Sequence, residues 1–285
     1  MTKFSACLWV DGQIEEMIAV YQEVFASVKR KVTNFYLTDD HGVVGDILTV
    51  SIEIDNQEFL LLNGGPEFTM TPAISYVVEA RTATEAQAIW DRLAPKGEVL
   101  MALEDQTMGK LFGWLNDEFG VSWQITVGEG QETITPCVMF IHQYFGMAEE
   151  AIETWGNYFG QLEREVLINN PDGTVQFAKF TLDGQPFIVM DNDYDHQFAV
   201  TMGNSFCFYC DNQAEIDRVW ELVTKEGAES QCGWMVDKFG VSWQTTTRDM
   251  DTLLRSTNPK AVELTKALYN MKKLDINYLR ELSNS

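Results

Sequence analysis

The six residues Phe-Gly-Val-Ser-Trp-Gln occur twice, closing the segments "EFGVSWQ" (Glu118 to Gln124) and "KFGVSWQ" (Lys238 to Gln244). An internal repeat constrains a fold more than any local propensity, because one supersecondary unit must serve at both places. The match extends backwards. "FGWLNDEFGVSWQ" pairs with "CGWMVDKFGVSWQ", and "EAQAIWDRL" pairs with "EIDRVWELV", which sets Trp90 against Trp220. The offset grows from 120 to 130 residues at that point, so the second half lacks ten residues between a helix and its final strands. "ISYVV" pairs with "SFCFY", "IDNQEFLLLNGG" with "LDGQPFIVMDND", and "FSACLWV" with "ITPCVMF", setting Asn63 against Asp191 and Cys7 against Cys137. The order is kept throughout, so the chain is a tandem duplication.

Each half repeats a smaller pattern. A short strand, "ACLWV", precedes an amphipathic helix in which Ile14, Met17, Ile18, Tyr21, Val24 and Phe25 recur at helical spacing. Asp11 is a candidate cap for that helix. Strands "VGDILTVSIEID" and "QEFLLLN" follow, joined at an Asp55-Asn56 turn. The cycle then restarts with "ISYVVEA" and a helix opened by a Thr82/Glu85 capping box. Strands around "FGWLND" and "GVSWQITV" complete it. The reading is α+β: four βαβββ units, two in residues 1–130 and two in residues 131–250. Residues 251–285 form a helical tail, capped at Thr257 or Asn258 with Pro259 in the first turn. Its apolar positions Val262, Leu264, Leu268, Met271 and Leu279 are expected to dock across the two halves; a partner-binding arm is the alternative.

The 285 residues suffice for two domains with cores of their own. A hydrophobic share of 45% and a charged share of 22% fit a globular protein. The net charge of −23 argues against a nucleic-acid partner, which must be met by Lys and Arg. No apolar run approaches the roughly 20 residues of a membrane span, and "MTKFSACLWVDGQ" has no apolar signal core. A cytoplasmic location is expected, which suits five cysteines without a disulfide pattern. Cys207 and Cys210 form a C-x-x-C inside a strand, where residues three apart point to opposite faces, so buried free thiols are expected.

"LWVDGQIEEM", "LNGGP", "WDRLAPKGEVLM", both "FGVSWQ" copies and the tail "MKKLDI" together resemble the PhnB-like family. It is also called the 3-demethylubiquinone-9 3-methyltransferase-like family, within the vicinal oxygen chelate (glyoxalase/bleomycin-resistance) superfamily. The resemblance covers nearly the whole chain. It implies paired βαβββ units curled into an incomplete barrel around a cavity, here duplicated into a fused pseudo-dimer, either monomeric or a homodimer. The second half departs from the pattern where Asp191-Asn192-Asp193-Tyr194 replaces Asn63-Gly64-Gly65-Pro66.

The superfamily's metal enzymes place ligands on the first and last strands of the units. The resemblance puts Phe4, Ile74, Ile134 and Asn204 at the first-strand positions, and Gln124 and Gln244 where a glutamate is expected. The histidines His41, His142 and His196 do not align as repeat pairs, and the acidic run Asp191, Asp193, Asp195, His196 reads as a solvated turn. No cofactor is expected. Small-molecule binding without the usual metal site is the favoured function, with a metal-dependent glyoxalase- or dioxygenase-type enzyme as the second reading. Methyl transfer is disfavoured, because the one Gly-x-Gly (Gly128, Glu129, Gly130) falls at the joint between halves, outside any β/α alternation. If Gln124 points into a barrel, the ligand-cavity candidates are Trp9, Asn63, Trp114 and Gln124 in one half, and Met139, Asp191, Trp234 and Gln244 in the other. The partner expected there is an unidentified small molecule, with neither nucleic acid nor membrane.

Overall fold

The computed structural model describes residues 3–106, 110–128, 130 and 132–285. Unit 1 runs β1 (Phe4–Val10), α1 (Ile14–Val24), β2 (Val28–Phe35), β3 (Ile47–Ile54) and β4 (Gln57–Asn63). Unit 2 has β5 (Ile74–Ala80), α2 (Ala83–Leu93), β6 (Glu98–Gln106), β7 (Lys110–Asn116) and β8 (Ser122–Val127). Unit 3 has β9 (Thr133–Phe140), α3 (Ala148–Phe159), β10 (Leu162–Asn169), β11 (Val175–Leu182) and β12 (Gln185–Asp191). Unit 4 has β13 (Asn204–Tyr209), α4 (Gln213–Thr224), β14 (Ala228–Glu229), β15 (Trp234–Val236) and β16 (Ser242–Thr246). In every unit the first strand lies parallel to the fourth, and the other two continue outward antiparallel.

Strand β2 carries no apolar alternation that its sequence reveals. Lys29, Arg30 and Lys31 are exposed on it, and β2 is the outer strand of its sheet. Charged side chains on such an edge discourage pairing with another chain. The counterpart β10, with Glu163, Arg164 and Glu165 exposed, is likewise an outer strand.

The units pair across the halves. One eight-stranded sheet has the order β14-β15-β16-β13-β1-β4-β3-β2, joining unit 4 to unit 1; the other, β10-β11-β12-β9-β5-β8-β7-β6, joins unit 3 to unit 2. The seams are antiparallel and equivalent: Cys7 lies opposite Ser205 on β1 and β13, and Ser75 opposite Cys137 on β5 and β9. Each barrel-like surface is therefore shared between the two halves rather than contained in one.

Both sheets turn an apolar face to one contiguous core. Phe59 of β4 meets Tyr76 of β5 with ring centroids 5.0 Å apart, and Phe4 of β1 meets Phe187 of β12 at 5.5 Å. Removing each such side chain from water contributes about 1.5–3 kcal/mol. The duplication's pseudo-symmetry is visible where Gln185 donates its amide to the equivalent Gln57 at 2.8 Å, both side chains being buried.

Helix α2 starts as its capping box requires: Thr82 accepts from the Glu85 N–H, and Glu85 reaches back to the Arg81 N–H. Asn212 and Glu215 repeat this at α4. Asp11 does not cap α1, whose first turn begins after Gln13 without a side-chain acceptor. Instead Asn63 accepts from the Gly12 N–H at 2.9 Å and donates to the Ile47 carbonyl at 2.9 Å, tying the helix entry to β3.

The tail comprises α5 (Met250–Leu253), α6 (Ala261–Tyr269) and α7 (Ile276–Asn284). Leu264, Leu274, Ile276 and Leu279 belong to the main core, whereas Val262 faces outward at 44% exposure, contrary to its place in the expected apolar face. The tail repairs the shortened fourth unit. Strands β14 and β15 hold two and three residues where β6 and β7 hold nine and seven. Met271 and Lys272 offer their carbonyls to the N–H groups of Cys232 and Gly233 at 2.8 and 2.7 Å, just before β15. Lys272 and Lys273 pair with Glu229 and Asp217 of unit 4, and Tyr269 stacks edge-on to His41 of unit 1. Docking across both halves is thus what the tail does.

Candidate functional site

The duplicated motif is a structural clamp. Asp117, two residues before its Phe, accepts from the N–H groups of Phe119 and Val121 through one oxygen. The other oxygen accepts from the Trp123 indole at 2.8 Å and the Tyr21 hydroxyl at 2.7 Å. Asp237 does the same with Phe239, Val241, Trp243 and, in place of the tyrosine, the indole of Trp155. Glycine closes each turn in the left-handed region, Gly120 at φ 84° and Gly240 at φ 81°. Trp123 and Trp243 are fully buried beneath the helices.

Alternation then sends Ser122 and Gln124, and Ser242 and Gln244, to the opposite face. Gln124 donates to Ser75 at 2.8 Å, and Gln244 to Ser205 at 2.9 Å. The first strands contribute Ser5, Cys7 and Trp9 to this face in unit 1, and Ser205, Cys207 and Tyr209 in unit 4. Cys7 and Cys207 hydrogen-bond each other, which holds the Cys7 thiol below its ordinary value and, with burial, pushes Cys207 well above it. In the second sheet, burial pushes Cys137 up to about 12. All five cysteines are free. Cys207 lines the cavity described next, while Cys210 belongs to the core on the other side, as the strand spacing requires.

Between units 1 and 4 lies a cavity of about 660 Å³. Trp9, Asn63, Trp234 and Gln244 line it, together with Asn34 and Tyr36 from β2 and its following loop, and Asp251, Leu268 and Tyr269 from the tail. The indole of Trp9 donates to the Gly65 carbonyl at 2.8 Å, and its ring lies flat on Gly64, where an added Cβ would sit 2.2 Å from ring atoms. The "NGG" of "LNGGP" is therefore a seat for Trp9 as well as a turn. The second half replaces Trp9 with Met139 and does not keep the glycines.

The equivalent face of units 2 and 3 carries an apolar cluster among the described residues. Trp114, Met139, Ala73 and Ile141 form a separate cluster, packed by Phe112, Met190, Phe198 and Val200. Phe198, from the linker into unit 4, stands edge-on to Trp114 at 6.5 Å, and Trp114 donates to Ser122 at 2.8 Å. The expected half-by-half grouping of cavity residues is thereby corrected: Trp9 and Asn63 share a cavity with Trp234 and Gln244, while Trp114, Gln124, Met139 and Asp191 belong to the other sheet. The cause is the pairing of first strands across halves. Asp191 is a structural anchor, accepting from Gly146 and Ala148 at the start of α3 and from Val175. The following run is a solvated turn, with Tyr194 73% exposed. Asn34, Asp251 and Tyr269 were not among the sequence candidates. The polar pattern of β2 hid the first, and nothing in the tail's sequence says which cavity it covers.

The metal positions assigned from sequence also shift. Phe4 and Ile134 face the core, and the inward residues of those strands are Ser5 and Thr135. Ile74 is likewise in the core, with Ser75 turned inward; Asn204 accepts from the Tyr76 hydroxyl between the sheets. Serine, threonine and glutamine are weak ligands for a divalent cation. Among the described residues no three His, Cys, Asp or Glu side chains converge. These residues do not fit the metal centre that the superfamily's enzymes would imply.

The family model described as 3-demethylubiquinone-9 3-methyltransferase matches residues 2–126 and again 132–246. The chain belongs to this family. Among solved structures, a PhnB protein from Bacillus cereus is 32% identical over 44% of this chain and 98% of its own, with a TM-score of 0.41. Glyoxalase I from Zea mays is 14% identical over 87% of this chain and 92% of its own, with a TM-score of 0.58, which shows the shared glyoxalase-like fold. No curated protein matches the chain. Within the family's fold, this member thus carries two matched segments, sixteen strands among the described residues in two cross-paired sheets, and an appended helical tail. Among the described residues, no helix is long and apolar enough to cross a membrane.

Proposed function

We propose that the protein binds one small organic molecule, in the cavity between units 1 and 4, and that the surface of units 2 and 3 serves architecture. The observation that carries this reading is the contrast between duplicated positions: the face holding Trp9 and Trp234 encloses about 660 Å³, and on the other face Met139 and Trp114 join an apolar cluster with Phe198 set against Trp114. Mixed walls of aromatic, amide and hydroxyl groups are the usual make-up of a small-molecule site. The residues at the superfamily's ligand positions support binding without the usual metal. The family's name mentions methyl transfer, but the Gly-x-Gly at the joint between halves includes Glu129, which lies outside the described residues, and the units around it are not β/α alternations.

A thermal-shift screen of a metabolite panel, run on the native protein and on Ser51→Trp, tests the proposal. Ser51 lines the cavity, and a tryptophan there fills it. Ligands that stabilise the native protein and not Ser51→Trp are the expected result. A panel with no hits, or hits unaffected by Ser51→Trp, overturns it. Metal analysis of protein purified without chelators separates the enzyme reading: a stoichiometric transition metal would favour it over the proposal.

A further inference from the structure

The walls of the cavity also bear on the charge of its occupant, an inference that rests on the binding reading above. Seven Phe, Tyr and Trp rings and the His41 imidazole line the space, together with the carboxylates of Glu67 and Asp251 and, among the described residues, no lysine or arginine. Trp9 stands edge-on to Phe68 at 4.8 Å and to Trp234 at 6.1 Å, an arrangement that leaves ring faces and edges at the cavity wall. The ring faces carry the negative side of the aromatic quadrupole.

At one point of the wall Asp251 is held by Asn34, which donates its amide to Asp251 at 3.2 Å and to Thr49 at 3.3 Å. Asp251 is half-buried, and burial raises its carboxyl above the ordinary value, against the opposing influence of Asn34, Arg248 and Arg255. Arg248 lies over the Tyr209 ring and pairs with Glu58 at 2.9 Å, outside the cavity lining. An anionic ligand would meet the carboxylates of Glu67 and Asp251, and among the described lining residues the His41 imidazole alone could offset them. A protonated amine would meet a carboxylate and aromatic rings.

We propose that the cavity takes a protonated organic amine on an aromatic or aliphatic body, its ammonium group set against Asp251 and its body against Trp9 and Trp234. Titration of the intact protein with 2-phenylethylammonium, 2-phenylethanol and phenylacetate, read by tryptophan fluorescence and calorimetry, tests it. The three probes share a ring and differ in charge. The expected order places the ammonium about tenfold tighter than the alcohol, with the carboxylate weakest. Asp251→Asn should abolish most of the preference of the ammonium over the alcohol. Glu67→Gln, at the exposed mouth, should reduce it about twofold and serves if Asp251→Asn does not fold. Alcohol or carboxylate binding as tight as the ammonium overturns the charge assignment and leaves the cavity reading intact. Failure of all three probes to bind overturns both.

Discussion

Trp155 donates its indole N–H to Asp237 across 2.8 Å, joining a helix of unit 3 to a turn of unit 4 that lies 82 residues on. Trp243, from the repeated hexapeptide, donates to the same oxygen at 2.9 Å. Tyr21, Trp123 and Asp117 make the same clamp between units 1 and 2. The motif recurs because each half needs a carboxylate that fixes a strand turn and a neighbouring unit's helix together.

Replacing either clamp carboxylate should therefore be a folding lesion. Asp237→Asn sets an amide against two indole N–H and two backbone N–H donors. We expect a loss of about 2–4 kcal/mol in urea unfolding, with Asp117→Asn similar. A change below about 0.5 kcal/mol in both would show that the clamp is dispensable.

The tail should behave as core. Leu264 and Leu279 are fully buried, and truncating either to alanine should cost about 2–4 kcal/mol. Denaturant midpoints measure this. A tail that served only to recruit a partner would give alanine variants of unchanged stability.

The packed face should open when its filler is removed. Phe198→Ala deletes the ring that stands against Trp114, and a loss of about 1–3 kcal/mol is expected for this half-buried side chain. A crystal structure of the variant should show a new void beside Trp114. Collapse of the linker onto Trp114 with no void would mean that the unit 2 and 3 face holds no latent cavity.

Stability should fall as pH rises from 5 to 8.5. Burial, with Asp55 and Glu85 close by, pushes Glu132 up from the ordinary carboxyl value to about 8. A folded value above the unfolded one means that its contribution is complete below about 4.5 and is lost as pH climbs through 8, on the order of 2–4 kcal/mol. Glu85, held at about 2 chiefly by Arg81, acts in the opposite sense: its contribution is present above about 4.5 and is lost as pH falls towards 2. Glu132→Gln should flatten the alkaline limb in unfolding experiments at pH 5.5 and 8.5. An unchanged slope would assign that limb to other groups.

The sequence made the duplication, the helices and the inward turn of Gln124 and Gln244 legible, because repeats and period-two alternation are local signals. The cross-pairing of units was not legible. No short-range pattern separates a pairing of first strands within a half from one across halves. Asp191 resembled a cavity residue because it aligns with Asn63. Its role as an anchor for α3 depends on three N–H groups from distant segments, at Gly146, Ala148 and Val175. Asn34 stayed hidden because charges on an edge strand mask the alternation that would have marked β2.

One of the two duplicated faces should hold a ligand and the other should not. Crystals soaked in bromobenzene test this most directly, since the anomalous signal of bromine locates each bound ring. Bromine is expected in the cavity lined by Trp9 and Trp234 and not beside Trp114 and Phe198. Bromine at both faces, or only beside Trp114, would contradict it.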